Sequence, residues 1–379
     1  MNRWLLGVLV VLVVMVAGCG ADDPARSDGD LTILEAPVER LALVLASDHV
    51  SGAYAVVDLQ RHEAVTRIEL THGDALLRVE GGLAYVINRL NADNIQVIDP
   101  ARSFQTTAQW SVGPGTNPSD IALAGGRAFV PLYQAAEVAI HDAVSGERLG
   151  GVDLSELADA DGKPELVGAA IAPDGRLLVV AQRLDWTTFT SDGAARLAVV
   201  DPDAASLITT VELRLPNPAA PPITLPGHLA ILAWDTAAAL DNGGVELVSS
   251  LPPYDSEVLV GEERFGGTLT GLATVDGDTL FVVASISQTG AEGLAVDTVL
   301  YRYVVSTDER TEVLALPGFS FGDIALTADG LLLICDQTPA APGLRIFDAH
   351  SLQELTSGPI DTGLPPLRVA PLVSGAATR

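Results

Sequence analysis

The chain has 379 residues, of which 48% are hydrophobic, and it carries a formal net charge of -28 at pH 7. This length suits one large domain or two ordinary ones. The acidic balance argues against nucleic acid as a partner and against adhesion to anionic lipid, because both need clustered positive charge.

The first 18 residues have the organisation of an export signal. Arg3 supplies a positive start, and the apolar run at 5–16 is shorter than the ~20 residues that a membrane-spanning helix needs. The stretch VAGC at 16–19 resembles the lipobox of bacterial lipoproteins. That resemblance implies removal of residues 1–18 and lipidation of Cys19, with an ordinary secretory signal as the alternative.

Residues 19–39 consist of Cys19, the polar stretch GADDPARSDGD and the nine residues after it, and this polar stretch predicts a flexible acidic tether between lipid and folded domain. Two or three acyl chains give stable anchoring to a membrane. Gly20 follows Cys19 directly, so the inner-membrane retention signal of bacterial lipoproteins, an Asp at that position, is absent. We therefore expect the outer membrane, on either its periplasmic or its surface face.

From about residue 40 onward, short apolar runs alternate with turns rich in Gly, Asp, Asn and Pro. One plan of four strands recurs in units at 73–112, 118–154, 164–213, 266–316 and 321–360, with a weaker copy at 226–262. Four strands at a period of roughly 40–50 residues indicate a β-propeller.

The two ends complete the count of units. Residues 41–70 supply only the last three strands of a unit, and residues 363–373 look like the missing first strand. Pairing of the two ends would leave the ring no open edge. We predict an all-β propeller of seven four-stranded blades over 40–373, or six blades if the weak unit is an insertion, with a tail at 374–379.

Five aspartates end the third strand of their units and are predicted to cap the following turn by accepting backbone N–H bonds. They are Asp58, Asp99, Asp142, Asp201 and Asp348. This repetition indicates a structural role and not a catalytic set.

The repeat core DIAL…GG…AFV…EVAIHD…SGE resembles the YVTN-type propeller repeats of bacterial surface and periplasmic proteins. Residues 152–185, together with the later LPNP and DNGGVELV, look like a group of propeller lipoproteins from predatory and soil proteobacteria. The resemblance implies envelope localisation and a binding or scaffold role. It supplies no reaction, because propellers host unrelated functions.

The stretch DADGKPE is the best metal candidate, because Asp159, Asp161 and Glu165 place three carboxylates in one turn. Carboxylate oxygens are the ligands that calcium prefers. The spacing does not fit an EF-hand loop, and a solvated acidic loop is the alternative.

Other motifs predict no chemistry. GFSFG at 318–322 matches G-x-S-x-G but precedes a strand, whereas a nucleophile elbow needs a helix there. The six histidines form no zinc motif, although His72 and His228 are expected before inner strands, where they could face the channel. Cys335 lies in an apolar strand and is expected to be a buried, unpaired thiol.

The loops after second strands, together with residues before inner strands, are expected on one face around the channel mouth. Side chains there offer charge, hydrogen bonding and an aromatic surface. The predicted ligand-binding set is Arg89, Gln182, Arg183, Asp185, Trp186 and Asp120. The alternative is that these are ordinary solvated loop residues.

These observations predict a non-enzymatic, lipid-anchored envelope protein that binds a protein, glycan or small ligand, with no cofactor beyond a possible calcium ion. A lactonase-type or lyase-type propeller enzyme using channel-mouth carboxylates, with or without calcium, is the first alternative. An assembly factor for outer-membrane proteins is the second. An enzyme would require acidic, amide and basic groups to converge on one point.

Overall fold

The computed structural model describes residues 32–185, 190–191, 193–234, 240, 242–290 and 293–372. Within them the chain forms seven antiparallel blade sheets and one two-stranded ribbon, and the inner strands of neighbouring blades meet around a central channel. The fold is a seven-bladed β-propeller, which confirms the predicted architecture and makes the weak unit a genuine blade.

The strands follow the blades in chain order. Blade 1 contains Leu41–Ser47, Gly52–Asp58, Glu63–Val65, Leu70–Thr71 and, from the other end of the chain, Pro366–Pro371. Blade 2 contains Ala75–Glu80, Leu83–Asn88, Asn94–Asp99 and Gln105–Ser111. Blade 3 contains Ala122–Ala124, Arg127–Pro131, Glu137–Asp142 and Arg148–Asp153. Blade 4 contains Leu166–Ile171, Leu177–Ala181, Arg196–Asp201 and Ser206–Glu212, with a short ribbon of Leu184–Asp185 and Thr190–Ser191.

The remaining blades complete the ring. Blade 5 contains Ile223–Leu225, His228–Ala233, Gly244–Ser249 and Ser256–Gly261. Blade 6 contains Thr268–Ala273, Thr279–Gly290, Gly293–Val304 and Glu309–Pro317. Blade 7 contains Phe321–Leu326, Leu331–Asp336 and Gly343–Asp348. Short 3-10 helices are Val38–Arg40, Pro100–Arg102, Ser155–Leu157, Glu262–Arg264 and Val305–Thr307.

The ring closes by pairing its two ends. Pro366–Pro371 is the innermost strand of blade 1 and runs antiparallel to Leu41–Ser47, with Val369 opposite Val44. The edge of the first strand is therefore covered by the last one, as predicted.

Every interface between neighbouring blades is an apolar cluster, and seven such clusters lie within the described residues. Alternation along a strand produces this arrangement, because successive side chains point to opposite faces. In blade 2, Ala84 and Val86 pack toward blade 1, whereas Tyr85 and Ile87 pack toward blade 3. The middle strands of each blade are buried on both faces, and their sequences are therefore continuous apolar runs.

The repeated aspartates have the predicted capping role. Each accepts a hydrogen bond from the backbone N–H two residues later, at 2.9–3.1 Å. The amides three residues later, those of Ser145, Ala204 and Ser351, donate to the same carboxylates and, together with these bonds, lower the pKa of Asp142, Asp201 and Asp348.

Several local details differ from the predictions. Ile33 and Leu34, placed in the tether by the sequence, are buried between blades 1 and 2, because they are apolar and reach that cluster. Blade 5 begins at Ile223, so His228 starts its second strand and does not precede the inner one. The outer position of blade 7 is held by isolated bridges, from Phe347 to Glu354 and from Leu344 to Ile360.

Candidate functional site

A cavity of about 1290 Å³ occupies the channel and opens at the face that carries the loops after the second strands. Its lining comes from all seven blades. Inner strands supply most of the wall, and loop residues such as Arg89, Gln182 and Phe319 supply the mouth. The expectation that these loops share one face is thus met for Arg89, Asn117, Tyr133 and Gln182.

One charged pair is built into the channel wall. Arg78 Nη2 of blade 2 lies 2.5 Å from Asp120 Oδ2 of blade 3, and Arg78 Nε lies 3.1 Å from Asp120 Oδ1. Asp120 Oδ2 also accepts a hydrogen bond from the Ala169 amide of blade 4 at 3.0 Å. Asp120, which the sequence placed in the ligand-binding set, therefore lines the cavity with its carboxylate already engaged.

Two further arginines face the cavity near its mouth. Arg89 Nε lies 3.7 Å from Asp74 Oδ2 and 3.4 Å from Asn117 Oδ1. Burial lowers the pKa of Arg89, and the positive charge of Arg368 lowers it further. Arg368 donates to the Leu367 carbonyl oxygen at 3.1 Å. The two guanidinium groups thus share one partly desolvated space.

Asp323 is the second acidic group of the lining. Its carboxylate accepts hydrogen bonds from the Ile324 amide at 2.9 Å and the Val369 amide at 3.2 Å. Burial raises the pKa of Asp323, although Arg368 acts in the opposite direction.

A chain of side-chain hydrogen bonds supports the mouth across blades 3 to 5. The Tyr133 hydroxyl donates to Gln182 Oε1 at 2.5 Å, and Gln182 Nε2 donates to Asn217 Oδ1. Asn217 Nδ2 then donates to the Trp234 carbonyl oxygen at 3.2 Å. Gln182 and Asn217 are buried, so this chain fixes the shape of the wall.

Sequence reasoning missed Asn217, although a signal existed. Asn-Pro occurs at 117–118 and again at 217–218, each time just before a blade. Both asparagines have left-handed φ angles. Asn tolerates this conformation better than most residues. Pro118 bridges to Leu132, just after the second strand of blade 3, and Pro218 bridges to Ala233, at the end of the second strand of blade 5.

Large apolar side chains ring the mouth. Leu90, Trp234 and Phe319 are 49%, 39% and 72% exposed, and all three line the cavity. They come from blades 2 and 5 and from the connection between blades 6 and 7. An exposed apolar group at a concave opening is typical of a binding site.

Two other described members of the predicted ligand-binding set do not line the cavity. Arg183 and Asp185 lie beside the cavity and not in its lining, because the short ribbon of blade 4 begins there. The Arg183 amide donates to the Pro164 carbonyl oxygen at 3.2 Å. Trp186 falls outside the described residues, as do Cys19 and the rest of 1–31.

The acidic loop between blades 3 and 4 does bring its three carboxylates together. Ligand oxygens of Asp159, Asp161 and Glu165 lie within 4.8 Å of one another. Burial, followed by the charges of Asp159 and Asp161, raises the pKa of Glu165 to about 8. Hard oxygen ligands of this kind suit calcium.

Two motifs have the structural roles that the sequence indicated. Ser320 of GFSFG is buried, donates to the Pro317 carbonyl oxygen and is followed by a strand, so no nucleophile elbow forms. Cys335 is fully buried and unpaired, and burial raises the pKa of its thiol. Such a thiol is a poor nucleophile.

Within the described residues, no helix is long and apolar enough to cross a membrane. No protein-family model matches the chain, and no curated protein matches it either.

Solved structures of other proteins share the fold. A candidate 6-phosphogluconolactonase from Bacteroides uniformis superposes with a TM-score of 0.58 at 12% identity, covering 87% of this chain and 98% of the other. A second candidate 6-phosphogluconolactonase, from Bacteroides fragilis, superposes with a TM-score of 0.55 at 11% identity, covering 92% of this chain and 99% of the other. Apo AztD from Citrobacter koseri superposes with a TM-score of 0.52 at 13% identity, covering 87% of this chain and 97% of the other. The chain therefore has the seven-bladed propeller fold in common with proteins that carry different names and little sequence similarity.

Proposed function

We propose that this is a binding protein of the cell envelope, that its site is the mouth of the central channel, and that its ligand is a small organic anion with an apolar part. The observation that carries the proposal is the placement of Arg89 and Arg368 in one cavity beneath the apolar rim of Leu90, Trp234 and Phe319. Guanidinium groups bind carboxylates and phosphates through paired, charge-assisted hydrogen bonds.

The charge of the cavity supports this ligand class. The whole chain has an excess of acidic groups, with a net charge of -28. The charged residues that line the cavity are nevertheless three arginines and two aspartates, and Asp120 is already paired with Arg78. The net negative charge of the protein surface repels an anion, whereas the arginines that line the cavity attract it once it enters the mouth.

The ligand class is tested by calorimetric titration with three molecules of the same shape: phenylbutyrate, phenylbutanol and phenylbutylamine. We expect the acid to bind at least about tenfold more tightly than the alcohol, because a charge-assisted bond contributes roughly 1.5–3 kcal/mol. The amine should bind more weakly still. Equal affinity for all three would contradict an anion site.

The envelope location rests on the lipobox-like stretch that ends at Cys19. We propose that Cys19 is lipidated, that residues 1–18 are removed and that the protein is held at the outer membrane. Metabolic labelling with an alkyne fatty acid should mark the wild-type protein and not a Cys19→Ser variant. The variant should also move from the membrane fraction to the soluble fraction, and an unchanged distribution would count against the anchor.

A propeller hydrolase of the lactonase type is the second candidate. Asp323 favours it, because this acid lines the cavity beside Arg368 and burial raises its pKa. Hydrolysis of aromatic and sugar lactones can be followed by acid release. A wild-type rate that Asp323→Asn abolishes, with anion affinity retained, would replace the binding role with the enzymatic one.

A further inference from the structure

Glu165 is an unusual residue for the loop between blades 3 and 4, because its side chain is completely buried, with 0% exposure. Neither of its carboxylate oxygens has a hydrogen-bond partner. The Leu184 amide approaches the carboxylate without reaching the geometry of a hydrogen bond. A buried carboxyl without partners is costly in its charged form, and a neutral carboxyl would still leave its hydroxyl without an acceptor.

The neighbours of Glu165 make this burial harder to explain without a cation. Asp159 and Asp161 add two more acidic groups within 4.8 Å of its ligand oxygen. A positive charge lies nearby on Lys163, whose Nζ is 3.9 Å from Asp161 Oδ2. Lys163 is partly exposed and pairs with Asp161, so it leaves both buried oxygens of Glu165 without a partner.

We infer that Asp159, Asp161 and Glu165 bind one calcium ion in the loop that joins blades 3 and 4. A calcium ion holds its oxygen ligands at about 2.3–2.6 Å, so opposite ligands lie no more than about 5 Å apart. The three carboxylates meet that limit, and the ion would supply the partner that Glu165 lacks. Magnesium fits less well, because it demands a smaller, near-octahedral shell.

The bound ion would also stiffen one side of the channel mouth. The Glu165 carbonyl oxygen accepts a hydrogen bond from the Gln182 amide at 3.0 Å, and the Pro164 carbonyl oxygen accepts one from the Arg183 amide at 3.2 Å. Fixing Glu165 therefore fixes the segment that carries Gln182. The calcium site itself does not depend on the proposed function, because its ligands lie outside the cavity lining.

The test is calorimetric titration of chelator-treated protein with calcium chloride, combined with thermal unfolding. Salt at about 0.15 M screens non-specific attraction of calcium to the acidic surface. We expect one site with an affinity in the range of extracellular calcium modules, roughly 10⁻⁴–10⁻³ M. Saturating calcium should raise the unfolding temperature by several degrees, and magnesium should have a much smaller effect.

Variants separate the site from general acidity. Asp161→Asn changes a partly exposed side chain and should weaken calcium binding at least about tenfold without impairing folding. Glu165→Gln should remove the binding and be at least as stable as the wild type in chelator. Glu156→Gln, an exposed acid in the same connection, is the matched control and should bind calcium normally. Absence of both heat and stabilisation in the wild type, or equal affinity in Asp161→Asn, would overturn the inference.

Discussion

Arg78 and Asp120 form a two-point ion pair in the channel wall, with 2.5 Å between Arg78 Nη2 and Asp120 Oδ2. Because Asp120 also accepts a bond from the Ala169 amide, one carboxylate connects three consecutive blades. The pair stiffens the wall against which a ligand would rest, and it leaves Arg89 and Arg368 as the cationic groups nearest the mouth.

Replacement of Asp120 should therefore impair stability. In Asp120→Asn, Arg78 loses its counter-charge in a largely buried position, and the free energy of unfolding should fall by about 2–3 kcal/mol. This loss of stability is smaller than the loss expected when a fully buried ion pair is broken, because the Arg78 side chain is 24% exposed. Urea unfolding provides the measurement.

The matched control is the pair between Arg127 and Asp203, whose atoms are 2.6 Å apart but whose Asp203 side chain is 88% exposed. Asp203→Asn should change the free energy of unfolding by less than about 1 kcal/mol. Equal losses in the two variants would mean that Asp120 has no special role in joining the blades.

Asp58 makes the stability of the closing blade dependent on pH. Although burial acts to raise its pKa, the amides of Arg61 and Gln60 and the Arg40 guanidinium together lower it. A pKa that is lower in the folded state contributes stability above the unfolded value near 4, and that contribution is lost as the pH falls through the folded value. Asp58→Asn should cost about 1 kcal/mol at pH 7, and the difference from the wild type should shrink below about pH 4.

Urea unfolding of the Asp58→Asn and wild-type proteins at pH 7, 5 and 3 measures this difference directly. Asp255→Asn, a change of an exposed acid, should show no comparable pH-dependent loss. A constant gap between Asp58→Asn and wild type across the range would show that the charge of Asp58 is unimportant.

The final strand should be indispensable for the ring. Val369 packs with Ala42, Val44 and Leu344 between blades 7 and 1. A chain that ends at residue 362 would expose this cluster and the edge of Leu41–Ser47, so we expect aggregation or loss of cooperative unfolding. A chain that ends at Leu372 should behave as the wild type in size-exclusion chromatography and thermal unfolding. Cooperative, monomeric behaviour of the shorter chain would contradict closure by this strand.

The sequence was sufficient to predict the propeller, because alternation and turn residues repeat along the units and strand-end aspartates repeat in five of the seven. The start of blade 5 was placed too late, because its inner strand Ile223–Leu225 has only three residues and follows two prolines. The hairpin of blade 6, formed by Thr279–Gly290 and Gly293–Val304, has longer strands than the other described blades, and this extension was not predicted.

The site was predictable only in part. Arg89, Gln182 and Asp120 were identified because loops after second strands and entries to inner strands converge in any propeller. Arg368 and Asp323 were missed, since a residue on an inner strand faces either the channel or a neighbouring blade according to register. The acidic loop was recognisable from composition, whereas the complete burial of Glu165 depends on packing against blade 4.

The most direct test of an anion site at the channel mouth is titration of phenylbutyrate into matched arginine variants of the protein. Arg89→Gln and Arg368→Gln should each weaken binding about tenfold or more, because each removes a charge-assisted bond in a partly desolvated site. Arg196→Gln removes an arginine that pairs with Glu212 on an exposed surface and should leave the affinity unchanged. Retention of wild-type affinity by both Arg89→Gln and Arg368→Gln would contradict a ligand site at the channel mouth.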